Sequence, residues 1–379
     1  MGRADELDAV MQEVAARMAA PGAVWAVAWG PPEARQVHTG AAGGLDEDAI
    51  LRLSSLTKLI GTGATLALAA DGVLSLDDPL DRWVPGWADR RVLRERHGGL
   101  DDTVAATRPL TVRDLLLMGF GLGYDMAAGE DDQLQRASEQ GQVLSSWVCP
   151  EPDQQTWVGR AARLPLRHQP GAGWLYQTSF DALTVVLEAA TGQPVEDVLQ
   201  DVILGPLGMV STSYSVIGRD LPRVPALWFP TDDGQLHRAA PEADRALLRP
   251  PTFPSLSTGL VSTVADQITF AQLLLDGGMT SGRRLLPRVS VEAMGLPALS
   301  GPAQEMAQEF LDPGLGWGLG AAVDADGRFG WDGGTGTSLW IDPAAGTAAV
   351  LLTRQGVGGP SAPEHLTRFW SAVRAGAWG

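Results

Sequence analysis

Lysine is nearly missing from this chain. Lys58 is the only one in 379 residues, and every other member of the 28 Lys and Arg residues is arginine. A guanidinium stays protonated, whereas a buried ammonium can lose its proton and act as a base, so a lone lysine points to proton transfer at position 58. Cysteine is equally scarce. With Cys149 alone, no intramolecular disulfide can form, nothing suggests an oxidising compartment, and the thiol is expected to be buried and inert. The five histidines (His38, His97, His168, His237, His365) are scattered, with no H-x-H, H-E-x-x-H or Cys/His cluster, so neither a metal nor a cofactor is expected. Positive charge is in deficit throughout. A net charge of −17 would repel nucleic acid and anionic membrane over most of the surface, which leaves solubility as its role and a small molecule as the expected partner. The first residues, MGRADELDAVMQEVAARMAAPG, carry acids from the fifth position and apolar residues at helical spacing, unlike a secretory signal or a membrane span. A cytoplasmic location is the expectation.

What is present describes a globular chain with a sizeable core, 45% hydrophobic and 19% charged, long enough for two domains or one with a large insertion. After the first helix, AVWAVAWG and RQVHTGAAGG read as a hairpin broken at Pro31 and Pro32. RFGWDGG, TSLWIDP and TAAVLLTR repeat the strand pattern near the other end, and APEHLTRFWSAVRAG reads as a closing helix. The simplest assembly is α+β: one antiparallel sheet built from residues 1–75 and 251–379, flanked by the terminal helices. Toward the middle of the chain RPLTVRDLLLMG, SFDALTVVLEAATG, PVEDVLQDVILGPLGM and STVADQITFAQLLLDGG space their apolar residues by three and four. They predict a mostly helical inserted domain over about 76–250, with LRPPTFPS crossing back to the sheet.

The stretch LSSLTKLIGTG starts a helix expected over 53–70, on which Ser55 and Lys58 lie three apart and share a face. Unpaired N–H groups and the positive end of the dipole in that first turn favour negative charge at Ser55. A serine hydroxyl is a weak nucleophile until a base takes its proton, and a neutral lysine three residues on can do so.

The run LSSLTKLIGTGATLALAADGVLSLDDPLDRWVP resembles the S-x-x-K helix of the serine β-lactamase and penicillin-recognising superfamily, in its class C and family VIII esterase branch. The likeness continues in the family's order through RPLTVRDLLLMGFGLGY, HQPGAGWLYQTSFDAL, LSTGLVSTVADQITF and FGWDGGTGTSLWIDP. It implies a β-lactamase/transpeptidase-like fold and a third residue, Tyr176, at the tyrosine of the family's Y-x-N motif, where a phenol or phenolate exchanges a proton with serine and leaving group. Thr178 stands where that motif has asparagine. The family's third motif, a strand reading K-T-G, H-T-G or W-x-G, falls on Trp331, Asp332 and Gly333. By resemblance the next N–H, on Gly334, joins that of Ser55 as the oxyanion hole. Pocket walls are expected from loops such as GFGLGYD, so Phe120 and Tyr124 join Trp331, Asp332 and Gly333 as expected substrate contacts.

These residues together predict a serine hydrolase working through an acyl-enzyme, first of all a carboxylesterase on small neutral esters. Trp331 offers apolar area where peptidases and lactamases place a cation for a carboxylate, although Arg354 can restore a cation there and Asp332 can add repulsion. Either Lys58 or Tyr176 can serve as principal base, the two titrating as a pair. The same site can serve an acyltransferase, a D-amino-acid peptidase or amidase, or a β-lactamase. From another class, the fold can carry an inactive ligand-binding module.

Overall fold

Residues AVWAVAW are buried along nearly their whole length, as a strand must be when both faces of its sheet are covered. The computed structural model describes residues 2–231, 235–239, 246–358, 362–376 and 378. In it β1 (Ala23–Trp29) and β2 (Gln36–Ala42) join β3 (Gly316–Trp317), β4 (Ala322–Val323), β5 (Phe329–Gly333), β6 (Thr337–Asp342) and β7 (Thr347–Thr353) in one sheet of order β3-β4-β5-β6-β7-β1-β2. All neighbours run antiparallel, and the two chain ends meet where β1 pairs with β7, Ala23 opposite Thr353 and Trp29 opposite Thr347.

Alternation along β1 divides the core. Ala23, Trp25 and Val27 pack with Leu7 and Met11 of α1 (Arg3–Arg17) and with Leu366 and Phe369 of α5 (Glu364–Ala375). Val24, Ala26 and Ala28 face the larger core, which also takes in α2 (Thr57–Ala70), α3 (Thr178–Thr191) and α4 (Val264–Leu275). Although its pattern groups it with the middle helices, α4 packs beneath β1, β6 and β7. The stretch before it holds shorter helices, among them Val112–Leu116, Gln133–Gln140 and Gln154–Arg163, and two small hairpins.

α2 is buried all round from Thr57 to Leu68, so close approach matters more than amphipathicity. A Cβ at Gly61 would sit 3.0 Å from Leu256, and one at Gly63 would sit 3.2 Å from Phe270. Small residues thus let α2 sit between neighbours that hold its first turn still. Among the described residues no helix is long and apolar enough to cross a membrane. Burial pushes the Cys149 thiol up to about 12, which suits an inert side chain.

Candidate active site

The chain enters α2 through a 3₁₀ turn, Ser54–Leu56, directly after the short strand Leu51–Arg52, which pairs with Val261–Ser262. Ser54 is held in the left-handed region at φ 48°, unusual for a residue with a side chain, and such strain persists where surrounding contacts impose it. Two hydroxyls supply those contacts: Thr335 donates to Arg52 O at 2.7 Å and Thr337 to Leu53 O at 2.9 Å. They tie the end of the β5–β6 hairpin to the backbone leading into Ser55.

Lys58 is wholly buried, and its Nζ donates to Ser55 Oγ at 3.1 Å, Gln177 Oε1 at 2.7 Å and Ser257 O at 2.6 Å. Burial pushes the ammonium down to about 7, against the pull of the Asp181 carboxylate. Burial thus favours the neutral amine, within hydrogen-bond reach of a hydroxyl.

Tyr176, just ahead of α3, is buried too. Its oxygen accepts from the Trp331 indole N–H at 2.7 Å and is hydrogen-bonded to Ser55. Burial raises the phenol well above its ordinary value, with those two bonds pulling the other way. Lys58 Nζ lies above the face of the ring, 4.6 Å from its centre. The environment thus pushes the lysine toward its neutral form and keeps the tyrosine protonated.

Gln177 is the residue that sequence reasoning missed. It follows Tyr176 at φ 89° and ψ −70°, a strained turn that no ordinary side chain prefers, and this turns its amide toward Lys58. Thr178, at the position of the motif's asparagine, instead begins α3 with its Oγ1 buried and without a hydrogen-bond partner among the described residues. The chain contains no asparagine at all, so a glutamine beside Tyr176 was the available signal for an amide at this site.

Gly333 explains the glycine of the third motif. A Cβ there would come within 2.5 Å of Leu53 O, so only glycine lets β5 approach the turn before Ser55. At Gly334 a Cβ would lie 3.7 Å from Ser54 Oγ, which places this segment at the same turn. The Tyr124 backbone pairs with Tyr176, and its hydroxyl donates to Ser145 O at 2.9 Å.

Three expectations need correction. Phe120 is no pocket wall: it is fully buried, packed against Trp87 and Trp157. Asp332 faces away from Trp331, because successive strand residues alternate; its carboxylate accepts from Ser338 and Trp340 beside a cavity of roughly 590 Å³ lined also by Trp370 of α5. Arg354 donates to Pro21 O at 2.6 Å, so its guanidinium is held at the start of β1 and is not aimed at Trp331. Among the described residues no group of three His, Cys, Asp or Glu side chains could hold a metal ion.

Comparison with known proteins shows what the chain as a whole is similar to. The Beta-lactamase family matches residues 7–373. Esterase EstB of Burkholderia gladioli is 29% identical over 347 residues, 84% of this chain and 80% of that protein. The lovastatin esterase of Penicillium rubens is 28% identical over 317 residues, 78% of this chain and 77% of that protein. A solved structure, "EstCE1, a hydrolase with promiscuous acyltransferase activity", superposes with a TM-score of 0.80 at 22% identity and covers 98% of both chains. Its likeness is one of fold. The match across nearly the whole chain carries the assignment: the protein belongs to the Beta-lactamase family and is a serine hydrolase.

Proposed function

We propose that this protein is a carboxylesterase that cleaves small neutral esters through an acyl-enzyme on Ser55. The observation that carries this reading is the wholly buried Lys58 amine, 3.1 Å from Ser55 Oγ, where burial favours its neutral form. Lys58 takes the serine proton as Oγ bonds to the acyl carbon, and the N–H groups of Ser55 and Gly334 hold the oxyanion. Tyr176 protonates the departing alkoxide and is resupplied with the proton that Lys58 took. Water then releases the acid by the reverse relay. Lys58 is thus the principal base, with Tyr176 the proton donor. We place the enzyme in the cytoplasm, where one unpaired cysteine is at home.

Neutral substrates are favoured by Trp331. Its N–H is committed to Tyr176, and Arg354 is held elsewhere, so neither side chain supplies a cation for a substrate carboxylate. Losing one charge-assisted hydrogen bond costs roughly 1.5 to 3 kcal/mol, so kcat/KM should favour a neutral ester over its carboxylate analogue by about ten- to a hundredfold. The panel should include nitrocefin and a D-amino-acid amide. Wild-type enzyme that prefers the carboxylate analogue would make this a peptidase or lactamase relative.

Removing the indole donor gives a second test. Trp331→Phe should lower kcat toward an alkyl ester by about tenfold, the scale of one hydrogen bond to a reacting group. A p-nitrophenyl ester, whose leaving group needs no proton, should lose less. Equal losses on both would remove Tyr176 from the role of leaving-group acid.

A further inference from the structure

Among the described residues Lys58 has no carboxylate partner at its Nζ, which meets a serine hydroxyl, an amide oxygen and a backbone carbonyl. A wholly buried ammonium without a counter-ion is costly, so the nearest carboxylate behind that neutral layer matters. It is Asp181, on α3 five residues beyond Tyr176 and equally buried. Among the described residues Asp181 likewise has no cation in contact. Its oxygens accept from three hydroxyls: Ser145 at 3.0 Å, Ser257 at 2.6 Å, and Ser255.

Two bridges join the lysine to this carboxylate. Ser257 presents its carbonyl to Lys58 and its hydroxyl to Asp181. Gln177 presents Oε1 to Lys58, while its Nε2 donates to Ser145 Oγ at 3.1 Å and Ser146 O at 2.9 Å. Proton counting gives the second bridge a direction. A carboxylate only accepts, so Ser145 uses its one proton on Asp181 and can only accept from Gln177. The amide nitrogen is thereby turned to Ser145 and the amide oxygen to Lys58.

We propose that Asp181 is the remote counter-ion of Lys58, a positioning residue that orients the Gln177 amide through Ser145 and sets the pH at which the lysine releases its proton. This rests on the reading of Lys58 as the base. Burial pushes Asp181 up, with the three serines and Lys58 pulling it down; three hydroxyls aimed at its oxygens suit the ionised carboxylate, which only accepts. Among the described residues Tyr124, Cys149 and Tyr214 also feel its charge, the last donating to Ser255 O at 2.8 Å. Burial raises all three, which leaves them neutral and makes Lys58 the cation among these groups that Asp181 feels.

A chain with one lysine allows a direct test, because protein grown with lysine labelled with ¹³C at its ε-carbon gives a single side-chain signal that titrates with Lys58. Asp181→Asn keeps the shape, and serine hydroxyls can turn to accept from the new amide. Removing the negative charge favours the neutral amine, so the Lys58 midpoint and the acid limb of acylation should both fall by about one pH unit. A purely structural role would lower the rate at every pH and leave the midpoint in place, and that result overturns the proposal. Should Asp181→Asn not fold, Ser145→Ala withdraws one donor from the carboxylate and should lower the midpoint by a smaller step; an unchanged midpoint again overturns it. Fluorophosphonate labelling separates the two levels. Wild-type protein that takes no adduct on Ser55 sinks the site reading, whereas normal labelling with an unmoved midpoint sinks only the role of Asp181.

Discussion

Ser55→Ala should lower ester turnover by about 10⁴-fold or more in a folded protein, whereas Ser54→Ala should keep most of it. The two serines are adjacent and both buried, so burial does not separate them. Their surroundings do. Lys58 Nζ and the Tyr176 phenol both bond to Ser55, while Ser54 has a left-handed backbone and its Oγ lies toward Gly334. Ser54 shapes the turn that presents its neighbour, and alanine tolerates that φ no worse than serine does. The measurement is kcat/KM on a p-nitrophenyl ester, with mass spectrometry locating the fluorophosphonate adduct. Loss of activity in Ser54→Ala with retention in Ser55→Ala would move the motif by one residue and undo the pairing with Lys58.

The contrast between these serines also marks what was legible in the sequence. Ser55 and Lys58 are three residues apart on one helix, and a local spacing survives whatever the rest of the chain does. The strands were visible for a similar reason: alternation and turn residues in AVWAVAW and TAAVLLT leave few other options. Tyr176 and Trp331 lie far apart in the chain, and only a resemblance to known motifs brought them to the serine. Their mutual hydrogen bond had no signal in sequence.

Other features were hidden or misread for identifiable reasons. Gln177 reaches the lysine only because its backbone takes a strained turn, and strain is invisible in a residue string. Asp181 looks like any acid in the first turn of a helix, and three serines from two separate segments are needed to bury it. The orientation of Asp332 is legible in the strand period itself. With a period of two it cannot share a face with Trp331, so only one of the pair can look toward Tyr176. Phe120 depended on loop packing against Trp87 and Trp157, which no local pattern encodes.

The lone lysine carries the other large effect. Lys58→Arg should cost at least about a hundredfold in acylation rate even though the formal charge is kept, the scale expected for losing general acid–base assistance. In the wild type, burial holds the amine at about 7, so the neutral fraction, and with it the rate, falls as pH drops through that value. A guanidinium stays charged across the working range, so it cannot take the proton of Ser55 at any of these pH values. It is also bulkier, in a place with no exposed surface and with one hydroxyl, one amide oxygen and one carbonyl as partners. Circular dichroism and thermal unfolding establish whether the variant is folded, and Lys58→Met, closer in shape and without charge, provides a second route if it is not. Both variants should lose the rate and, with it, the acid limb near pH 7. If folded Lys58→Arg turns over ester at close to the wild-type rate, position 58 requires only a charge, and the reason arginine never replaced this lysine lies somewhere other than proton transfer.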